Sequence, residues 1–271
     1  MGAGIKGKLS TVEGKLLFIL MYLKTYPTVD VLSFIVGFDR SRAARWSQVL
    51  FPVLEMTLRR KLVLPERKIS SVEEFFRRFP EVKEVFGDVS ERRIQRPKNQ
   101  KRQQKTYSGK KKAHTRKNVV LADKDRRILV LTKTTSGRRH DKRLADKEDV
   151  FSALPEEVAV YVDTGFQGVQ KQHTNTYIPK KRKLKQPLTD DEKEINRIIS
   201  SFRVVVEHAI GGMKRYQCLQ QPYRNRRLKL DDTFALLAAG LWNYHLSFTS
   251  IIPSPHVLSF EIVLVLITQQ V

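Results

Sequence analysis

"TDDEKEINRIISSFRVVVEHAIGGMKRY", Thr189 to Tyr216, decides how the rest of the chain is read. Thr189 and Glu192 have capping-box spacing, and Asp190 and Asp191 complement the positive end of a helix dipole. A long helix is expected from there. Ile195, Ile199, Phe202, Val206, Ile210 and Met213 recur at helical spacing and predict its buried stripe. Asn196, Arg203, Glu207 and Lys214 fall together on an adjoining face. Glu207 therefore sits inside the most hydrophobic run, "VVVEHAIGG". A surface ladder would account for it, because an i,i+4 Arg–Glu pair gains about 0.2–0.5 kcal/mol. Val204 and Val205 argue against full exposure, and an acid on a partly apolar helix is a candidate for chemistry. Gly211 and Gly212 allow a close backbone approach or simply the end of the helix.

Two further acids stand beside apolar segments. "EVFGD" ends in Asp88, and "VAVYVDTGFQG" places Asp163 after a short buried strand, Val158 to Val162, and before a Gly-rich turn. Hard divalent cations are held by a few carboxylates with water and phosphate oxygens. Two such ions can clamp the attacking and leaving oxygens of a phosphodiester. Plainer readings exist: Asp88 as a turn residue and Asp163 as an Asx-turn. Asp141, in "RRHDKR", competes with them but reads as the N-cap of a short helix.

The chain has 271 residues, with 51 Lys+Arg against 28 Asp+Glu and a net charge of +23. Such an excess points to polyanionic partners, above all nucleic acid, with an acidic membrane surface as the alternative. Hydrophobic residues make up 41%, enough for a packed core. Cys218 is the sole cysteine, which excludes an intramolecular disulfide and a multi-cysteine zinc site. The opening "MGAGIKGKLS" has no apolar h-region, and "LLFILMYL" and "VLSFEIVLVLI" are too short to span a bilayer.

Toward the N-terminus the pattern is helical. "STVE", Ser10 to Glu13, predicts a capping box before "GKLLFILMYL", and Pro27 predicts that helix's end. "TVDVLSFIVG" is a shorter helix closing on Gly37, and a third opens at Asp39 or Ser41. Helix, short helix, Gly turn, helix is the helix-turn-helix plan; a plain three-helix bundle is its alternative. In that plan Arg40, Arg42 and Arg45 reach DNA while Trp46, Val49 and Leu50 face the core. "SVEEFFRRF" predicts a short helix. "EVFGDVSERRI" predicts a strand pair or a strand ending at Asp88, weakened by Gly87. Asn99 to Asn118 is acid-free and reads as a basic loop with "KKKAHTRK" already extended, leading into the hairpin "VVLADKDRRILVLTK". A last helix, "LDDTFALLAAGLWNYHLSF", is expected to be capped by Asp231 or Asp232.

In order, "DVSERRIQRP", "YSGKKKAHTRKN", "VDTGFQG", "LTDDEKEINRIISSFRVVVEHAIGGMKR" and "YRNRR" resemble the DDE transposases of bacterial insertion sequences, in the group related to harbinger-type transposases. The resemblance runs from about Leu9 to Tyr244. It implies an α/β fold: an RNase H-like mixed sheet flanked by helices, preceded by an all-α helix-turn-helix domain. The boundaries it suggests are 1–64 for the DNA-binding domain, 65–82 for a linker, 83–246 for the catalytic domain and 247–271 for an atypical tail. It implies cleavage and strand transfer at terminal inverted repeats, with Asp88, Asp163 and Glu207 holding Mg²⁺ or Mn²⁺, two ions in all. Arg203, Glu207 and Lys214 match R-x₃-E-x₆-K of a signature whose opening Tyr falls here on Ser200. Lys110, Lys111, Lys112 and the Lys180–Lys185 cluster, with Lys180 and Lys181 foremost, are expected on the DNA backbone with Arg203 and Lys214. Expected partners are double-stranded DNA and further copies of the chain on it, with no membrane, in the cytoplasm at the nucleoid. The alternative is an inactive or domesticated sequence-specific DNA-binding protein.

Overall fold

A computed structural model describes residues 9–182, 187–225 and 229–249. The expected tail beyond Thr249 and residues Lys183 to Lys185 of the basic cluster lie outside them. The protein is α/β, with one mixed sheet flanked by helices. The described residues divide into two compact units: one of residues 9–64, 214–221 and 233–249, the other of the described residues within 65–213 and 222–232.

The first unit is helical. α1 (Val12–Thr25) is capped by Thr11, one residue later than the Ser10 expected, because the Thr11 hydroxyl accepts from the Gly14 amide at 3.1 Å. It ends at Tyr26 in the left-handed region, immediately before Pro27. α2 (Val29–Val36) closes on Gly37, whose φ of 66° is the conformation glycine adopts without strain. α3 (Arg40–Arg60) is capped by Asp39, which accepts from the Arg42 amide at 2.8 Å and from the Ser41 hydroxyl at 2.5 Å. Leu50 is buried as expected, but Val49 is exposed and Trp46 half-buried under Lys15, so the inward face runs through Ala43, Ser47, Leu50 and Leu54 instead. The centre of this unit is an aromatic cluster of Tyr22, Tyr26, Phe51 and Phe234 with ring centroids 5.3–6.0 Å apart. Phe234 comes from α9 (Lys229–Thr249), which follows the short α8 (Gln217–Gln220). α9 also presses on α3, since a Cβ on Gly240 would stand 2.5 Å from Leu64 Cδ2 and 3.2 Å from Leu58 Cδ1.

The second unit holds the sheet. Its strands are β1 (Glu84–Arg93), β2 (Tyr107–Ser108), β3 (Ala113–Ala122), β4 (Ile128–Leu131), β5 (Thr135–Ser136), β6 (Ala159–Val162) and β7 (Thr176–Tyr177). β1 is central: antiparallel to β3 on one side, parallel to β6 on the other, with β7 parallel beyond β6. β4, the second arm of the expected hairpin, pairs with β3. β1 does not stop at Asp88. It continues five residues further, because β3 pairs with it through Arg93 opposite Thr115. The basic stretch from Asn99 is not wholly a loop either: Asn99 accepts from the Arg102 amide and caps α5 (Gln100–Thr106).

Residues 65–82 include α4 (Val72–Arg78), and Ile69, Phe75 and Phe79 lie in the same apolar core as Val85, Leu121, Val160 and Phe166. α6 (Asp141–Glu148) adds Leu144 and Ala145 to that core. The long helix α7 spans Asp190–Lys214 and opens on the reciprocal box expected for it: Glu192 N–H donates to Thr189 Oγ1, and Thr189 N–H to Glu192. Its predicted apolar stripe is buried at Ile199, Val206, Ile210 and Met213 and exposed at Ile195 and Phe202. Phe202 leans on Tyr161, which stacks between Phe86 and Tyr177 across three strands. Asp231 and Asp232 lie within the first turn of α9 and bond elsewhere in the second unit: Arg116 Nε donates to Asp231 at 2.7 Å, and Arg67 to Asp232 at 2.5 Å. Among the described residues no helix is long and apolar enough to cross a membrane.

Candidate active site

Parallel pairing sets the site. Gly87 of β1 stands opposite Val162 of β6, so the next residue on each strand, Asp88 and Asp163, leaves the same end of the pair. Side chains two apart share a sheet face, so Asp88 lies on the face of Phe86 and Asp163 follows Tyr161. Gly87 makes the strands' close approach possible: a Cβ there would lie 2.8 Å from Val162 Cγ1 and 3.1 Å from Leu121 Cδ2. The residue that weakened the strand in the sequence is thus a packing requirement at the site.

Asp88 is half-buried, and desolvation raises its carboxyl pKa; its own neighbour's amide, Val89 N–H at 2.7 Å, opposes that rise, the Asp163 charge adds to it, and Arg203 and Lys110 also oppose it. Like charges disfavour joint ionisation, and a cation between them would relieve the repulsion. Asp163 does make the Asx-turn that was one of its readings, with Oδ1 accepting from Gly165 N–H at 2.7 Å. From α7, Arg203 reaches both Asp88 Oδ2 at 4.0 Å and Glu207 Oε1 at 3.7 Å. Its side chain is only 16% exposed, whereas that of Glu207 is 57% exposed. The helix therefore brings its polar face to Asp88 through the arginine rather than through the glutamate.

The other expected contacts divide. Lys110, Lys111 and Lys112 form the turn between β2 and β3, and the charge of Lys110 acts on Asp88. Lys180 pairs with Glu192, and its backbone N–H and C=O are both held by Asn196, so the Asn196 of the polar stripe serves the loop before α7. Lys181 is exposed, and Lys214 is the last residue of α7. In the helical unit Arg40 pairs with Asp30 at 3.4 Å and Arg42 with Asp39 at 3.8 Å, both pairs exposed, while Arg45 is exposed beside them in sequence.

The sequence reading missed a buried charged cluster. Lys117 donates to Asp141 Oδ1 at 2.9 Å and to the Arg139 carbonyl at 3.2 Å, and stands 3.9 Å from Glu91. Thr115 donates to Glu91 at 2.5 Å. Asp141 is not the cap of α6. His140 holds that position without a side-chain bond, and Asp141 turns inward. The signal was present in β3, where Thr115 and Lys117 alternate in phase with Val119 and Leu121 and are buried like them.

The family model of the DDE superfamily endonucleases matches residues 88–243, a span that opens on Asp88. The chain belongs to this family. It is also similar to the probable transposase for insertion sequence element IS702 of Microchaete diplosiphon, 31% identical over 237 residues, which cover 87% of this chain and 81% of that protein. No solved structure matches the chain significantly. Together these make it an insertion-sequence transposase of the DDE superfamily.

Hard carboxylate oxygens are the donors Mg²⁺ or Mn²⁺ prefer, and Asp88 with Asp163 supplies two that repel one another when ionised. Among the described residues no three His, Cys, Asp or Glu side chains gather closely enough to hold a metal ion together. The fit thus rests on Asp88 and Asp163, with Glu207 on the facing helix joined to Asp88 only through Arg203.

Proposed function

We propose that this transposase cuts DNA at the terminal inverted repeats of its insertion sequence and joins the freed ends to a target, with Asp88, Asp163 and Glu207 as the acids of the reaction. The observation that carries this is that Asp88 and Asp163 each directly follow the last residue pair of the parallel β1–β6 ladder, Gly87 opposite Val162, with Arg203 of α7 reaching toward Asp88. Those three acids would hold Mg²⁺ or Mn²⁺, two ions in this reading, which supply activation of water and then of a 3′-hydroxyl for in-line displacement at phosphorus. Arg203 neutralises the paired acids and offers its guanidinium to a phosphate oxygen. Lys110 adds positive charge at the same place. Lys111, Lys112, Lys180, Lys181 and Lys214 track the DNA backbone through charge alone.

The order β4–β3–β1–β6–β7, antiparallel at one end and parallel at the other, supports an RNase H-like sheet. The short α2, the Gly37 turn and α3 with exposed arginines at its start support a helix-turn-helix that reads the repeats through Arg40, Arg42 and Arg45. In this reading several copies assemble on DNA in the bacterial cytoplasm.

The test is cleavage of labelled terminal-repeat DNA with Mg²⁺, beside Asp163→Ala. Cleavage by the wild type and none by the variant is expected. The outward Glu207 favours one rival, a DNA-binding protein without catalysis. Tight binding with no cleavage in either protein would establish that rival.

A further inference from the structure

We propose that Asp141, clamped by Lys117, is a positioning residue that sets the carboxylate of Asp163. The inference rests on the reading of Asp163 as a catalytic acid. The two acids approach the same glycine from two sides. The point where a Cβ would sit on Gly165 lies 2.8 Å from Asp163 Oδ1, 3.3 Å from Asp141 Oδ2 and 3.6 Å from Asp141 Cβ. Gly165 N–H is the donor that fixes Asp163 Oδ1. Asp141 therefore walls the turn that orients Asp163, and only a residue without a side chain fits between them.

Asp141 is in turn held rigidly. Its Oδ1 takes the Lys117 ammonium, and the lysine and aspartate side chains are only 6% and 12% exposed. Glu91, directly opposite Lys117 in the β1–β3 ladder, flanks the ammonium from the other side and is itself fixed by Thr115. A second tie joins the same elements, since Gln172 beyond the turn donates to Asp146 of α6 at 2.8 Å. Burying one cation between two acids is expensive, and substitution by apolar residues often leaves stability unchanged. Such a cluster is more economically explained by the placement of a neighbouring group than by stability. Through it, β1, β3 and α6 fix where the Asp163 carboxylate points relative to Asp88, which is carried on the same β1.

The test uses the full chain. Amide exchange at Gly165 reads the Asp163 turn directly, without metal and without catalysis. Asp141→Asn and Lys117→Met are compared with the double variant Lys117→Met/Asp141→Leu in a Glu91→Gln background, which removes the cation and both acidic charges while the glutamine oxygen still accepts from Thr115, and so keeps the fold if either single variant fails to fold. We expect Gly165 exchange to speed up by about tenfold in these proteins, since local opening costs less once the wall is loosened. We expect kcat for cleavage to fall by about 100-fold with KM for DNA unchanged, in line with a misplacement of about 1 Å, and Lys117→Arg to retain most of both properties. Unchanged Gly165 exchange in the folded double variant would overturn the inference, whatever the cleavage rate. Faster exchange in a protein that cuts no DNA even as wild type would uphold the positioning and sink the catalytic reading alone.

Discussion

Gly87→Ala is the sharpest probe of how this site is built. The added methyl would stand 2.8 Å from Val162 Cγ1, roughly 0.7 Å inside the 3.5 Å lower edge of the optimal carbon–carbon separation. Leu121 Cδ2 at 3.1 Å closes the other side, and both neighbours are fully buried. Neither can swing into solvent, so the strands must part or a rotamer must leave its well. Overpacking of this kind costs about 1–3 kcal/mol. Removing a glycine from a strand interior returns about 0.5–1 kcal/mol. The net expectation is a loss of about 1–2 kcal/mol, read as a lower urea midpoint with an unchanged slope. Catalysis should suffer more than stability. Asp88 is the next residue, and a displacement of several tenths of an ångström between it and Asp163 should lower terminal-repeat cleavage by about ten- to 100-fold. Adding Val162→Ala opens the space and should recover part of the cleavage. A Gly87→Ala protein as stable and as active as wild type would refute the close-packing account of the β1–β6 pair.

Three further outcomes follow from the same structure. Gly211→Ala should stabilise the protein by about 1 kcal/mol in thermal unfolding, because the position is helical and a Cβ there meets nothing within 4 Å. Asp231→Asn should cost about 1.5–3 kcal/mol in urea unfolding, because Asp231 is 1% exposed and its charge-assisted bond from Arg116 is lost, although Arg116 keeps its bond to the Thr134 carbonyl. In chelator, Asp88→Asn should be more stable than wild type at neutral pH. The Asp88 pKa is raised in the fold, chiefly by desolvation, so the stability its protonated form supports is present in acid and is lost as pH rises through the folded value. The advantage of the variant should therefore vanish on acidification, and an advantage that persists in acid would contradict the cause.

Periodic elements were the legible part of the sequence. The hairpin, α1 to α4 and α7 with its capping box follow from spacing and caps, and Asp163 follows from a short apolar strand broken by a turn. What escaped was set by partners distant in the chain. β1 runs past Asp88 because β3 pairs with it to Arg93, and nothing in "VSERR" announces that. Asp141 looks like a cap because it stands at a helix start; only Lys117, from a strand 24 residues earlier, turns it inward. Ile195 and Phe202 carry the correct period but lie where α7 outruns its cover. Ligand geometry at Glu207 was not legible either, since the arginine one turn before it takes the inward place.

The discontinuity of the helical unit has a consequence for biosynthesis. Tyr22, Tyr26 and Phe51 are made well before the ring that completes their cluster, Phe234, which lies more than 180 residues further along the chain. The sheet is similar in kind: the β3–β4 hairpin closes locally, while β1 waits for β6 across a long span of chain, and such non-local pairings form slowly. A ribosome-bound chain therefore carries Arg40, Arg42 and Arg45 without the completed aromatic cluster until Phe234 is made, and Asp88 without its parallel neighbour until β6 is made. The aromatic cluster waits for α9 and the Asp88–Asp163 pair for β6, so a partly made copy has neither in place.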